Sequence, residues 1–201
     1  ADHEIDILIG TQMITKGLDF KNVGLVGVIN TDHFLNFPDF RAHEKAFQVL
    51  TQVAGRSGRS GERGSVYLQT YQPDHPIIIN VINNDFDQMY AKQLIERKDY
   101  KYPPFVRLIR ITMKDKSFDK LNSSSDWLNK AIRANFKGLV LGPVYPEISR
   151  IKNKYHKEFL VKLRDLNDLN IFRNKFQLIM KSFDSISKYR SVKVIVDVDP
   201  N

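Results

Sequence analysis

The stretch Gln52-Val53-Ala54-Gly55-Arg56-Ser57-Gly58-Arg59 decides how the first half of this chain reads. Upstream of it, Ala42, Ala46, Phe47, Leu50 and Val53 fall at helical spacing, which predicts a helix from Asp39 to Ala54 ended by Gly55 and Gly58. Two arginines follow, three residues apart. Each guanidinium is a planar, permanently charged fork that suits a phosphate oxygen. The plainer reading is a helix end whose cations complement the dipole.

Ile5–Gly10 is a short apolar run closed by glycine, Val23–Asn30 is a near-continuous apolar run, and Ser65–Tyr71 is β-rich. Such strands suit a parallel sheet covered on both faces. The order strand, loop, strand, helix, strand makes part of an open α/β sheet, whose ligand loops follow the strand ends. The first loop is Gly10-Thr11-Gln12-Met13-Ile14-Thr15-Lys16-Gly17-Leu18-Asp19-Phe20. Thr11 offers a hydroxyl and an amide, both common phosphate-backbone donors. Gly17 allows close approach of a ligand, and Asp19 can accept from a ribose hydroxyl or hold an arginine. A strand-to-helix turn with Asp19 as its cap is the structural alternative.

Residues 73–102 read as a helical connector, with helices expected at Ile77–Ile82 and Asp85–Arg97. Tyr102-Pro103-Pro104-Phe105 forbids a helix and marks a boundary. Beyond it the pattern predicts strand Val106–Met113, helix Ser117–Phe136, strands Leu139–Val144 and Glu158–Leu163, helix Asp165–Ser185 and strand Val192–Asp199. That βαββαβ order predicts an α+β split-βαβ two-layer sandwich. Three parts are expected: residues 1–72, 73–102 and 103–201.

The 201 residues carry a net charge of +8, unevenly spread. Residues 1–102 hold 11 Lys+Arg against 13 Asp+Glu; residues 103–201 hold 20 against 10. A basic domain favours an anionic partner, most often nucleic acid. The densest run is Arg150-Ile151-Lys152-Asn153-Lys154-Tyr155-His156-Lys157. It lies between two strands and is read as a hairpin loop, with Arg150, Lys152, Lys154 and Lys157 tracking phosphates and Tyr155 stacking on bases. The alternative is a solvated tip whose lysines guard a sheet edge.

No cysteine occurs, which excludes disulfides and cysteine-ligated zinc and fits a reducing cytoplasm. No metal site is expected: His156 has no second ligand at suitable spacing, and Asp197 and Asp199 read as a solvated strand face. No apolar run is long enough to cross a bilayer, so no membrane partner is expected. The start lacks a Met and enters a strand at once, which reads as a piece of a longer protein.

Gln-x-x-Gly-Arg-x-Gly-Arg at Gln52–Arg59 is similar to the sixth motif of superfamily 2 helicases, and the Gly10–Phe20 loop to their fifth. With Pro38-Asp39-Phe40-Arg41-Ala42, Glu44, Phe47–Arg59, Gln69–Pro76, Tyr102–Phe105, Leu141-Gly142-Pro143 and Asp197–Pro200, nearly the whole chain resembles the PriA family of primosomal replication-restart helicases (primosomal protein N′). Ser57 departs from the alanine expected there, and Asp19 from a common histidine. The resemblance implies the C-terminal part of a RecA-like second helicase lobe, followed by the family's C-terminal domain. It implies ATP and Mg2+ bound mainly by a first lobe, with Arg56 and Arg59 as arginine fingers and Gly17, Asp19 and Gln52 near the nucleotide. Thr11 and Gln12 would lie near a single strand. Zinc is implied in an upstream region, and forked and single-stranded DNA, single-stranded-DNA-binding protein and other primosome proteins as partners. The implied activity of the whole is ATP-dependent 3′ to 5′ unwinding during replication restart. The chain holds no Gly-x4-Gly-Lys-Ser/Thr loop, so by itself it is expected to be inactive and to bind no cofactor. A non-catalytic nucleic-acid-binding module is the alternative; a scaffold that binds only protein would leave Arg56 and Arg59 idle.

Overall fold

The computed structural model describes residues 6–11, 23–55, 57 and 64–200. The chain forms two compact units, Ala1–Glu96 and Arg97–Asn201.

In the first unit, β1 (Leu25–Val28) and β2 (Ser65–Leu68) pair in parallel, with Leu25 opposite Ser65 and Val28 opposite Leu68. Around them stand α1 (Asp32–Leu35), α2 (Ala42–Ala54), α3 (Pro76–Ile82) and most of α4 (Phe86–Asp99). Leu35, Ala46, Phe47, Leu50, Ile77, Ile78, Val81 and Met89 form the core, and Val28 and Leu68 pack against it from the sheet. The α2 residues of that core are those whose helical spacing is legible in the sequence. Leu25 and Tyr67, on the opposite face of the same strands, are exposed. Among the described residues one face of this pair is covered, where the apolar runs predict two. The expected strand at Ile5–Gly10 is also absent from its described part. Residues 6–11 form no strand, and Ile7 and Ile9 stand 79% and 86% exposed. A strand exists only by pairing, and no described strand pairs with this run.

In the second unit, β3 (Arg107–Asp115), α5 (Phe118–Asn135), β4 (Leu139–Val144), β5 (Arg150–Ile151), β6 (Lys154–Leu163), α6 (Leu166–Ser185) and β7 (Lys193–Val198) follow in order. The sheet order is β4-β6-β3-β7 with every neighbour antiparallel, and the short β5 extends the β6 edge. Thus β3 and β4 run the same way with β6 between them, and β6 and β7 do so with β3 between them. Each βαβ crossover is split by a strand of the other, as the element order predicts. Ile109, Ile111, Met113, Phe159, Val161 and Leu163 meet Leu121, Leu128, Ile132, Phe172, Phe176, Ile179 and Phe183 in one helix-on-sheet core. Ser117 and Asp165 cap the two long helices by accepting from the amides of Lys120 and Asp168.

Gly142 interrupts β4 at an irregularity between Leu141 and Val144, with φ +93°. A Cβ there would lie 2.5 Å from the Glu158 carbonyl oxygen, so the backbones of β4 and β6 approach as closely as they do only with glycine. Asp199 ties the end of the chain to β3: its amide donates to Leu108 O (2.8 Å), its carboxylate accepts from Leu108 N (3.2 Å) and pairs with Arg107. The solvated role expected for Asp199 is therefore replaced by a structural one. Among the described residues no helix is long and apolar enough to cross a membrane.

Candidate functional site

Of the residues expected to face a nucleotide, Gly17, Asp19, Arg56 and Arg59 lie outside the described residues, as does Gln12. Gln52 is exposed on the last turn of α2, and Thr11 is exposed. The helix ends where the sequence ends it: Gly55 N donates to Thr51 O at 3.0 Å. The next described residue, Ser57, donates from its amide to Ala54 O (3.2 Å) and lies beside β2, its hydroxyl 3.5 Å from Ser65 O.

The loops after β1 and β2 are joined by a residue that the sequence reading passed over. Asp32 is buried and accepts from Thr70 Oγ1 (2.8 Å), Tyr71 N (2.9 Å) and Gln72 Nε2 (3.5 Å). The Tyr71 amide and the Thr70 hydroxyl hold its carboxyl below the usual carboxylate range. Asp39 sets the entry to α2, accepting from Lys45 Nζ (2.8 Å) and Arg41 N (2.9 Å). Burial pushes its pKa up, but Lys45 and the Arg41 amide outweigh this and the net shift is downward. His75 caps α3, its Nδ1 accepting from Ile77 N at 3.2 Å, with the His43 ring edge-on at 5.2 Å. Burial, then the neighbouring His43, lower its pKa. Asp32 had a visible signal: a carboxylate after an apolar strand, facing a Thr-Tyr-Gln segment after the next.

The basic run of the second unit is a tight hairpin rather than an eight-residue loop. Ile151 pairs with Lys154, and Lys152 and Asn153 take φ +48° and +61°, the left-handed pair of a two-residue type I′ turn. Arg150, Lys152 and Lys154 are exposed around this tip, and Arg150 Nη2 donates to Asn153 Oδ1. Tyr155 lies on β6, half-buried against the core, with the Arg150 guanidinium 5.0 Å over its ring and the Phe118 edge at 5.4 Å. One of its faces is therefore covered by a cation.

Lys157 differs most from the expectation of a loop cation. It is 8% exposed, on the helix-facing side of β6, and its ammonium lies 3.2 Å from Ser125 Oγ and 5.0 Å over the Tyr145 ring. The cause is strand parity: Lys157 shares its face with Phe159, Val161 and Leu163, three core residues. The alternation 157, 159, 161, 163 was the signal that could have shown it. Lys162, on the opposite face, is buried too. It donates to Tyr100 O (2.7 Å), its ammonium lies 3.5 Å over the Tyr102 ring, and burial lowers its pKa.

Residues 98–201 match the family model of the primosomal protein N C-terminal domain. The chain belongs to the PriA family. Curated relatives match it from end to end. The chain is 36% identical over 202 residues to replication restart protein PriA of Bacillus subtilis, covering all of the chain and 25% of that protein. It is 38% identical over 205 residues to that of Chlamydia trachomatis, covering 100% and 26%. Against Rickettsia conorii PriA it is 40% identical over 201 residues, covering 98% and 29%. The chain thus spans about a quarter of the length of these relatives.

Proposed function

We propose that this chain is the C-terminal part of an ATP-dependent superfamily 2 DNA helicase that acts in replication restart and primosome assembly. In this reading the first unit is the end of a RecA-like second lobe and brings Arg56 and Arg59 to the γ-phosphate of ATP held with Mg2+ by another lobe. One observation carries the reading. The Gln52–Arg59 string starts on the last turn of a helix that packs in the core of a parallel β-pair, in a chain whose relatives are named replication restart proteins. Gln52, Gly17 and Asp19 would line the nucleotide, and Thr11 and Gln12 the translocating strand. The second unit supplies DNA contacts through Arg150, Lys152 and Lys154. Forked and single-stranded DNA, single-stranded-DNA-binding protein and other primosome proteins are the partners this function requires, a cytoplasmic location follows from it, and zinc belongs to an upstream region.

Arg59→Ala in the complete protein tests the finger. An arginine finger is worth about 10³-fold or more in turnover, so DNA-stimulated ATP hydrolysis is expected to collapse while DNA affinity holds. Turnover close to the parent's would reject the assignment.

A further inference from the structure

The outer face of the second unit's sheet carries a row of basic side chains whose lysines pair with no carboxylate among the described residues. Ile109, Ile111 and Met113 of β3 point into the helix-covered core, which puts Arg110, Thr112 and Lys114 on the other side. Lys114 lies directly opposite His156 on β6 and directly opposite Lys193 on β7. Three basic side chains therefore stand abreast across three strands, and Lys154 follows two residues from His156 on the same face. Lys114 and Lys193 are like charges directly opposed, and such pairs destabilise a sheet.

The carboxylates of this face are placed elsewhere. Asp197 lies opposite Arg110, two rows away, and Glu158 Oε1 accepts from Thr112 Oγ1 at 3.3 Å. Among the described residues, none of Lys114, Lys154 and Lys193 pairs with a carboxylate. His156 is 7% exposed, with no hydrogen-bond partner for its ring among the described residues. Burial first, then the charge of Lys114, lower its pKa, and Lys154 adds to this against Glu158. Lys152 and Lys154 at the hairpin tip continue the same line of charge along β6.

We infer that Lys193 and Lys114, continued past the buried His156 by Lys154, form a binding site for the phosphodiester backbone of DNA. The inference rests on the DNA-contact reading of the second unit and moves the centre of that contact from the hairpin tip to the open sheet face. A phosphate seated over Lys114 and Lys193 replaces repulsion by attraction, and since the one aromatic ring of the row, His156, is 7% exposed, the contact is to backbone rather than to bases. The cost of holding like charges in register then has a return.

The test is fluorescence anisotropy of labelled oligothymidine and of a labelled duplex with the 201-residue chain across a KCl series. Lys114→Gln/Lys193→Gln is compared with Lys130→Gln/Lys181→Gln, which removes the same charge from exposed helix positions. Each lost phosphate contact lowers the salt slope by about 0.7 for a single strand and about 0.9 for duplex. The row variant is expected to bind about tenfold more weakly, with a slope shallower by about 1.4 on oligothymidine, and to unfold at the parent's urea concentration or above it. Equal losses in the two variants would overturn the inference in favour of a bulk charge effect. Unchanged affinity in the row variant, with a parent that binds, would also overturn it and leave the face to an acidic protein surface. A parent that fails to bind either oligonucleotide would overturn the DNA-contact reading itself, and the inference with it.

Discussion

Lys157 separates a cation that builds the domain from one that serves a ligand. Truncation to alanine removes about three buried methylenes, each contributing about 0.8 kcal/mol. The ammonium's bond to Ser125 contributes about 1.5–3 kcal/mol, and its place over Tyr145 about 0.5–2 kcal/mol. Against these stands the cost of keeping a charge away from water, several kcal/mol for a buried ion. The sum is a loss of about 2–3 kcal/mol for Lys157→Ala. Lys157→Met keeps the stem, and Ser125 keeps its bond to Asn122 O at 2.9 Å, so it should stay within about 1 kcal/mol of the parent. Lys152→Ala, at the exposed tip, should change stability by less than about 0.5 kcal/mol. Trp127 is the single tryptophan and packs against Phe183, ring centres 5.7 Å apart, so its fluorescence in urea reports this core alone. With a urea m-value near 2 kcal/mol/M, Lys157→Ala should shift the midpoint down by about 1 M. An unmoved midpoint, together with a larger loss of DNA affinity than in Lys152→Ala, would refute the structural role.

Two further outcomes are expected. Gly142→Ala places a methyl group against the Glu158 carbonyl at a φ of +93°, so it should destabilise the second unit by at least about 2 kcal/mol, read by the same fluorescence; a shift below the error of the midpoint would count against the close approach. His75 has a folded-state pKa below its ordinary value, so the unfolded chain binds its proton first and stability must fall as pH drops below about 6.5. Protonation also puts a hydrogen on the Nδ1 that caps Ile77, with His43 and Lys92 opposing the charge and Asp32 and Glu96 favouring it. Hydrogen exchange at the amides of Ile79 and Val81 should therefore quicken below that pH, and His75→Asn, which keeps a capping acceptor, should flatten the dependence; identical profiles would sink this account.

What the sequence yielded and what it withheld follow from the range of each interaction. Helices α2 and α6 were legible because their apolar spacing is local and the layer that buries them is the same along their length; strand β7 was legible from its alternating valines, although Val196 and Val198 stand 44% and 45% exposed. The split order of the second sheet followed from βαββαβ, since short crossovers leave few alternatives. The run Arg150–Lys157 misled because charge is a property of residues while exposure belongs to the face. Its turn has no glycine, so nothing local marked Lys152-Asn153 as the tip, and Lys157 was counted with the loop instead of with Phe159. That the described residues cover one face of β1 and β2 was not legible either, since an apolar strand does not state which layer covers it. The register that sets Lys114 between Lys193 and His156 is a long-range fact that no local window contains.

The basic excess of the second unit is thus not one surface. Arg107 holds Asp199, Arg133 holds the carbonyls of Val140 and Gly142 at 2.8 and 3.3 Å, Lys175 holds Asn135 O at 2.7 Å and Arg164 holds Asp168. With Lys157 and Lys162, these cations close helix ends, strand ends and the sheet against the chain around them. Lys114, Lys152, Lys154 and Lys193 have no such duty, and they lie along one continuous line from the hairpin tip across the open sheet. A search for the proposed DNA contact by charge alone would sample both groups. Sorting cations by what their nitrogens already touch sets the first group aside, and strand register then separates Lys114, Lys154 and Lys193 from helix-surface cations such as Lys130 and Lys181, so that the loss of the sheet set should appear in the salt slope and not in the urea midpoint.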